Sequence, residues 1–182
     1  MRRIVVVGTT GSGKTTLAAV LAGWLGVRHV ELDALYWGPA WTPRADDTFR
    51  ASVEEATAGD CWVADGNYSR VRDVLWSRAD TVIWLDYPLP LIMWRLLWRT
   101  LRRVARSQAL WNGNRERFAG QFLARDSLFV WALTTHHQRR RDYLKADTWS
   151  AYPQSRVVRL RSPRAARAWL QSIGAASVGE HR

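Results

Sequence analysis

The sequence predicts a three-layer α/β domain: a mostly parallel five-stranded sheet with helices on both faces and a small lid insert. Three observations lead there. The chain has 182 residues, enough for one domain with a substantial core. Short unbroken apolar runs alternate with segments of helical spacing, which is the pattern of strands covered on both faces. The first such run and the first helical segment are joined by a loop rich in glycine, a close strand-to-helix connection of the kind parallel sheets use.

The elements follow in order. Ile4 to Val7 is the first strand. From Lys14 the apolar positions Leu17, Leu21, Trp24 and Leu25 recur at helical spacing, and Gly26 is the expected stop. His29 to Leu32 reads as a second strand, with a helix from about Pro43 to Ala58. Cys61 to Ala64 is a third strand that should bury Cys61 as a small hydrophobe, and Val71, Leu75 and Trp76 mark a short helix. Thr81 to Leu85 is the fourth strand. A long helix runs from Pro88 to about Arg106, an irregular stretch from Ser107 to Asn114, and a further helical region from about Arg117 to Leu144. Val157 to Leu160 closes the sheet. Ser162 and Pro163 form an N-cap and N1 pair that opens a final helix through Trp169. One domain is expected over residues 1–174, with 175–182 as a flexible tail.

Composition narrows the class. Hydrophobic residues make up 47% and there are twelve Trp, so a core forms despite a formal net charge of +11. One cysteine excludes a disulfide framework. The start of the chain has only four apolar residues before its glycines, and no uncharged stretch is long enough to span a bilayer; a cytoplasmic protein without membrane contact is expected. Residues 1–90 hold nine Lys and Arg against eleven Asp and Glu, whereas residues 91–182 hold eighteen against five. Such asymmetry points to an anionic partner for the second half: phosphates of a small substrate, nucleic acid or a membrane surface.

The phosphates have a site. Gly8-Thr9-Thr10-Gly11-Ser12-Gly13-Lys14-Thr15 fits G-x-x-x-x-G-K-[ST] between a strand and a helix, with Thr16 next. Its glycines let successive backbone N–H groups turn inward at an anion, and the helix dipole adds to them. Lys14 would reach the β- and γ-phosphates of ATP, and the Thr15 hydroxyl would ligate Mg²⁺. Of 27 basic residues only two are lysines, and one stands here, where a flexible point cation suits a curved phosphate pocket.

Acidic residues end the next strands. Asp65 is the expected magnesium-linked carboxylate, and Asp33 the group that positions or deprotonates the acceptor; Asp86 reads as a turn or capping aspartate. Arg95, Arg99, Arg102, Arg103 and Arg106 share one side of the long helix, with Trp94, Leu97, Leu101 and Val104 opposite. Arg95, Arg99 and Arg103 are the candidates for stabilising transferring phosphate. Arg139 to Arg141 and the arginines from Arg156 to Arg167 read as solvated surface. Tyr36, Trp37 and Trp41 could stack on an acceptor base or pack a flap onto the sheet. His136 and His137, adjacent on a helix, make a poor metal pair.

With the phosphate loop, the Asp33 and Asp65-Gly66 strand ends, and Pro88 followed by Arg95 and Arg99, the chain resembles the nucleoside monophosphate kinase superfamily. Within it, the chain is most similar to adenylate-kinase-like P-loop proteins of the DNA topology modulation type. Supporting words are Val30 to Trp37, Trp62 to Tyr68, Thr81 to Asp86 and Leu110 to Glu116, across roughly residues 1–172. The resemblance implies an acceptor flap at about 34–58 and a lid at about 103–118. It places Arg95 and Arg99 at the lid base, touching the nucleotide, with Arg115 and Arg125 closing from the far side. Two positions depart from the adenylate kinase pattern. Tyr36 stands where that pattern has the arginine gripping the acceptor phosphate, and Asp65-Gly66-Asn67-Tyr68-Ser69 brings its arginine, Arg70, one residue late. The expectation is therefore a phosphotransferase using ATP and Mg²⁺ on a nucleotide or other small acceptor; the alternatives are a nucleotide-dependent DNA-binding regulator and a simple NTPase.

Overall fold

A computed structural model describes residues 1–105 and 128–179 of the chain. Five parallel strands lie in the order β2-β3-β1-β4-β5: β1 Arg3–Gly8, β2 Arg28–Glu31, β3 Trp62–Asp65, β4 Thr81–Leu85 and β5 Arg156–Leu160. The first strand is central, with β3 and β4 on its two edges and helices over both faces, and Ile4 to Val6 are fully inaccessible. β2 lies at one edge and β5 at the other.

The connections are helical. α1 (Lys14–Leu25) ends at Gly26, whose φ of 64° and backbone hydrogen bond to the Ala22 carbonyl make the expected left-handed cap. α2 (Leu32–Tyr36) is a single turn, followed by a 3₁₀ turn at Pro39–Trp41 and then α3 (Asp46–Ala56). α4 (Arg72–Arg78) and α5 (Leu89–Ala105) flank β4. After the undescribed segment come α6 (Leu128–Leu144), α7 (Ala146–Ser150) and, after β5, α8 (Pro163–Gly179). The Ser162 hydroxyl accepts the Ala165 N–H at 3.1 Å, which is the predicted N-cap.

Two hydrophobic clusters lie on the two faces of the sheet. One packs Val5, Val7, Val82 and Trp84 against α3 and α4 through Phe49, Val53 and Leu75. The other packs Ile4, Val6, Ile83 and Leu85 against α1, α5 and α8 through Leu21, Ile92, Leu96 and Ala166.

Several expectations are corrected. Asp33 does not end a strand: β2 stops at Glu31, and Asp33 sits in the first turn of α2. The helix expected from Pro43 begins at Asp46, because Pro43 bridges back to Trp37 and the Arg44 N–H bonds the Tyr36 carbonyl. Cys61 is exposed, since β3 starts one residue later. On α5 the buried stripe is Ile92, Leu96 and Thr100; Trp94, Trp98 and Leu101 face outward. The last helix continues to Gly179, past Trp169 and into the segment expected as tail. The expected lid lies mainly outside the described residues, as do Arg106, Arg115, Arg125 and the side chain of Arg103.

Candidate active site

The loop between β1 and α1 turns through glycines that no other residue could replace without movement. Gly11 has φ +81°, and a Cβ there would stand 2.9 Å from Leu96 Cγ. Ser12 N–H donates to the Thr9 carbonyl at 3.0 Å, tightening the loop into a cup. Inside it the Ser12 hydroxyl is buried without a hydrogen-bond partner among the described residues. A buried orphan hydroxyl, a glycine cradle and a helix N-terminus together fit a polyphosphate.

Lys14 stretches across the cup, its Nζ 3.5 Å from the Thr9 carbonyl. Burial pushes its ammonium below the ordinary lysine value; the carboxylates of Asp33 and Asp65 pull it back up, while Arg139 and Arg99 push it further down. Lys14 thus lies within the field of Asp65 at the end of β3 and of Asp33 in α2 at once.

Asp65 has two partners. Its Oδ2 accepts the Thr15 hydroxyl at 2.7 Å, and its Oδ1 accepts His29 Nε2–H at 2.8 Å. The hydrogen bond to Asp65 raises the His29 pKa above its ordinary value. Thr15 and Asp65 therefore present hard oxygens side by side at the sheet's carboxyl edge, a donor set suited to Mg²⁺ and its waters. Asp33 faces the same space from α2 and accepts the Tyr68 hydroxyl on Oδ1 at 2.7 Å. Burial and the Asp33 carboxylate push the Tyr68 phenol far above its ordinary range, so it stays protonated and can donate to Asp33.

Arginines approach from two helices. Arg95 Nη1 donates to the Ser12 carbonyl at 2.8 Å from α5, and its guanidinium lies over the Tyr87 ring. Arg99, one turn on, lies within electrostatic reach of Lys14. Arg139, on α6, was expected as solvated surface. It is instead half-buried, stacked over the Trp131 ring and within electrostatic reach of Tyr143, Arg72, Asp33 and Tyr68; burial lowers its pKa. Arg159, partly buried, also leaves the surface class, and Arg140, though exposed, has a buried partner. Both hold the buried carboxylate of Asp86, Arg140 through Nε at 3.0 Å and Arg159 at 2.5 Å. Asp86 thus ties β4 to α6 and β5 and is not a simple turn former.

The aromatic flap packs. Tyr36 lies 4.8 to 5.1 Å from the rings of Trp37, Phe49 and Tyr68, so the segment is anchored on the sheet through Tyr68 and Phe49. Arg70, the residue arriving one position late, turns outward to an ion pair with Asp46.

Sequence reasoning missed His29, Asn67, Tyr68, His136 and Arg139. His136 Nδ1 is hydrogen-bonded to the Thr9 hydroxyl at 2.9 Å, and Asn67 bonds the backbone of Gly8. Asn67 and Tyr68 stand within two or three residues of Asp65 and were open to notice; the other three reach the site only through the tertiary fold.

No protein-family model matches the sequence. The chain is 33% identical to shikimate kinase of Synechococcus elongatus over 137 residues, which is 63% of this chain and 71% of that one. In fold it is similar to shikimate kinase from Bacteroides thetaiotaomicron, with a TM-score of 0.56 at 16% identity over 96% of this chain and 97% of that one. A gluconokinase from Sinorhizobium meliloti gives a TM-score of 0.52 at 20% identity, covering 100% and 98%. A phosphate loop on a five-stranded parallel sheet, together with one residue in three shared across most of a shikimate kinase, shows that this chain belongs to the shikimate kinase family of adenylate-kinase-like P-loop kinases.

Proposed function

We propose that the protein transfers the γ-phosphate of ATP to a hydroxyl of a small polyhydroxylated compound that carries an acidic group. One observation carries this reading: Lys14, Asp33 and Asp65 converge at the carboxyl ends of β1 to β3, with the half-buried Arg139 within electrostatic reach of Lys14 and Asp33. The three ends meet because β1 and β3 pair in register up to Val6 and Asp65, and β2 follows β3.

Each residue has a part. The loop amides of Gly8 to Thr16 and the Lys14 ammonium hold the β- and γ-phosphates. Mg²⁺, held by Thr15 and through water by Asp65, would supply charge neutralisation on those phosphates. Asp33, kept in place by Tyr68, orients the acceptor hydroxyl, and its Oδ2 takes the proton as the hydroxyl oxygen bonds to the γ-phosphorus and ADP leaves. Arg95 and Arg99 stabilise the charge developing between the two phosphates, with Arg103 proposed for the same task. Arg139 pairs with the acidic group of the acceptor, fixing which hydroxyl meets Asp33.

A nucleotide acceptor is less well served. Tyr36 packs in the aromatic flap where an acceptor-phosphate arginine would stand, and Arg70 is engaged with Asp46. The named relatives include kinases of shikimate and gluconate, both hydroxylated acids. Incubation with Mg·ATP and a panel of hydroxy acids, sugars and nucleoside monophosphates, read by phosphorus NMR, tests the reading. Transfer to a hydroxy acid, abolished in Lys14→Ala with the fold retained, is the expected result. Transfer to AMP, release of free phosphate only, or near-normal turnover in Lys14→Ala would overturn it.

A further inference from the structure

The backbone pairing of β1 with β3 ends at Val6 opposite Asp65. One further main-chain bond, from Gly66 N–H to the Val6 carbonyl at 3.2 Å, follows it. Gly66 then turns away with φ +148°, pressed so closely on Leu32 that a Cβ would lie 2.8 Å from that side chain. β1 continues for two residues beyond this point, and on its other side Gly8 still pairs with Leu85 of β4. The N–H and carbonyl of Gly8 on the β3 side would therefore have lost their strand.

The Asn67 side chain takes the strand's place. Its Oδ1 accepts the Gly8 N–H at 3.0 Å, and its Nδ2 donates to the Gly8 carbonyl at 2.5 Å. A carboxamide carries the same donor and acceptor as a peptide group, so this side chain adds one more rung to the sheet after the main chain has left it. Gly8 is also the first residue of the phosphate loop and has φ +149°. From α6, the Tyr143 hydroxyl reaches Asn67 Oδ1 at 3.4 Å. Tyr143 is itself buried and neighbours Arg139, so the same amide joins the phosphate loop to the acceptor side of the cleft.

We propose that Asn67 is the positioning residue of the phosphate loop, setting the direction in which the chain leaves β1 so that the loop amides point at the nucleotide. It touches no reacting atom and acts through Gly8. The inference rests on the kinase reading for its ligand, not for its geometry.

Two variants and two measurements test it. Asn67→Ala removes both bonds; Asn67→Asp keeps the acceptor for the Gly8 N–H and removes the donor to its carbonyl. ADP affinity, measured by calorimetry with and without Mg²⁺, should fall about tenfold in Asn67→Ala, as two neutral hydrogen bonds suggest. It should fall in Asn67→Asp as well. In nitrogen-resolved NMR, hydrogen exchange at the Gly8 amide should accelerate in Asn67→Ala while amides in β4 stay protected. In turnover, KM for ATP should rise more than kcat falls. Unchanged ADP affinity together with unchanged Gly8 exchange would overturn the proposal. So would loss of the fold in both variants, since the role would then be structural alone. If the unmodified protein binds no ADP, the kinase reading fails; accelerated Gly8 exchange in Asn67→Ala would still uphold the positioning role.

Discussion

The hydroxyl of Thr9, the second residue of the phosphate loop, is hydrogen-bonded to a histidine 127 positions away in the chain. His136 is buried, and that burial lowers its pKa from the ordinary value of 6.5; His137 and Arg140 push in the same direction and Asp86 opposes them. A lowered pKa favours the neutral ring at pH 7, which leaves one ring nitrogen as an acceptor. The sign follows from linkage. A histidine whose folded pKa lies below its unfolded value takes up more protons on unfolding, so the stability it preserves is present above about pH 6.5 and is lost as the pH falls below that toward the folded value. His29 runs the other way: its raised pKa stabilises at low pH and loses that contribution as the pH climbs through the folded value. In His136→Gln, where the amide oxygen can accept from Thr9, the loss of melting temperature between pH 7.5 and 5.5 should be smaller than in the unmodified protein. Thermal melts across that range check it, and an equal or steeper loss in the variant would refute the assignment.

Among the elements, α8 shows what a local signal can fix. Ser162 before Pro163 is a cap written in adjacent residues, and the hydrogen bond to Ala165 N–H follows from it. Ser162→Ala should cost about 1 kcal/mol, seen in urea denaturation as a lower midpoint with an unchanged slope. α5 shows the opposite case. Its apolar residues surround the helix, so the sequence admits more than one buried face. The face used, Ile92, Leu96 and Thr100, was decided by what the phosphate loop needs beneath it, since Leu96 fills the space that a side chain at position 11 would take. Strands β1, β3 and β4 were legible because continuous burial demands continuous apolar runs. The start of α3 was not, because the fold-back of residues 37–45 depends on a bridge between Trp37 and Pro43 that no local pattern announces. In the candidate site, Lys14 and Thr15 belong to a motif legible in its spacing and Asp65 ends an apolar run, whereas Asp33 was expected at a strand end and reaches Lys14 from the first turn of α2. Arg139 was not legible, because an arginine in a run of three looks like surface until the fold sets it within electrostatic reach of Asp33.

At the scale of the molecule, the question is what the eighteen basic residues of the second half are for. Arg140 and Arg159 are spent on the buried Asp86, Arg139 and Arg99 sit within reach of Lys14, and Arg95 bonds the phosphate loop. These charges are committed to interior partners and to one cleft. A nucleic-acid interface instead needs an open stripe that tracks a duplex backbone, where each neutralised phosphate releases a counterion. The two uses of positive charge differ in how they answer to salt. A protein making several phosphate contacts on DNA loses orders of magnitude in affinity over a few-fold rise in salt, whereas groups enclosed around a small polyphosphate are screened far less. Titrating labelled duplex DNA and, separately, ADP at 50 and 200 mM salt should therefore show weak DNA binding that vanishes at the higher salt, against ADP affinity that changes by no more than a few-fold. Tight DNA binding persisting at 200 mM would assign the basic half to nucleic acid and return the regulator reading to first place.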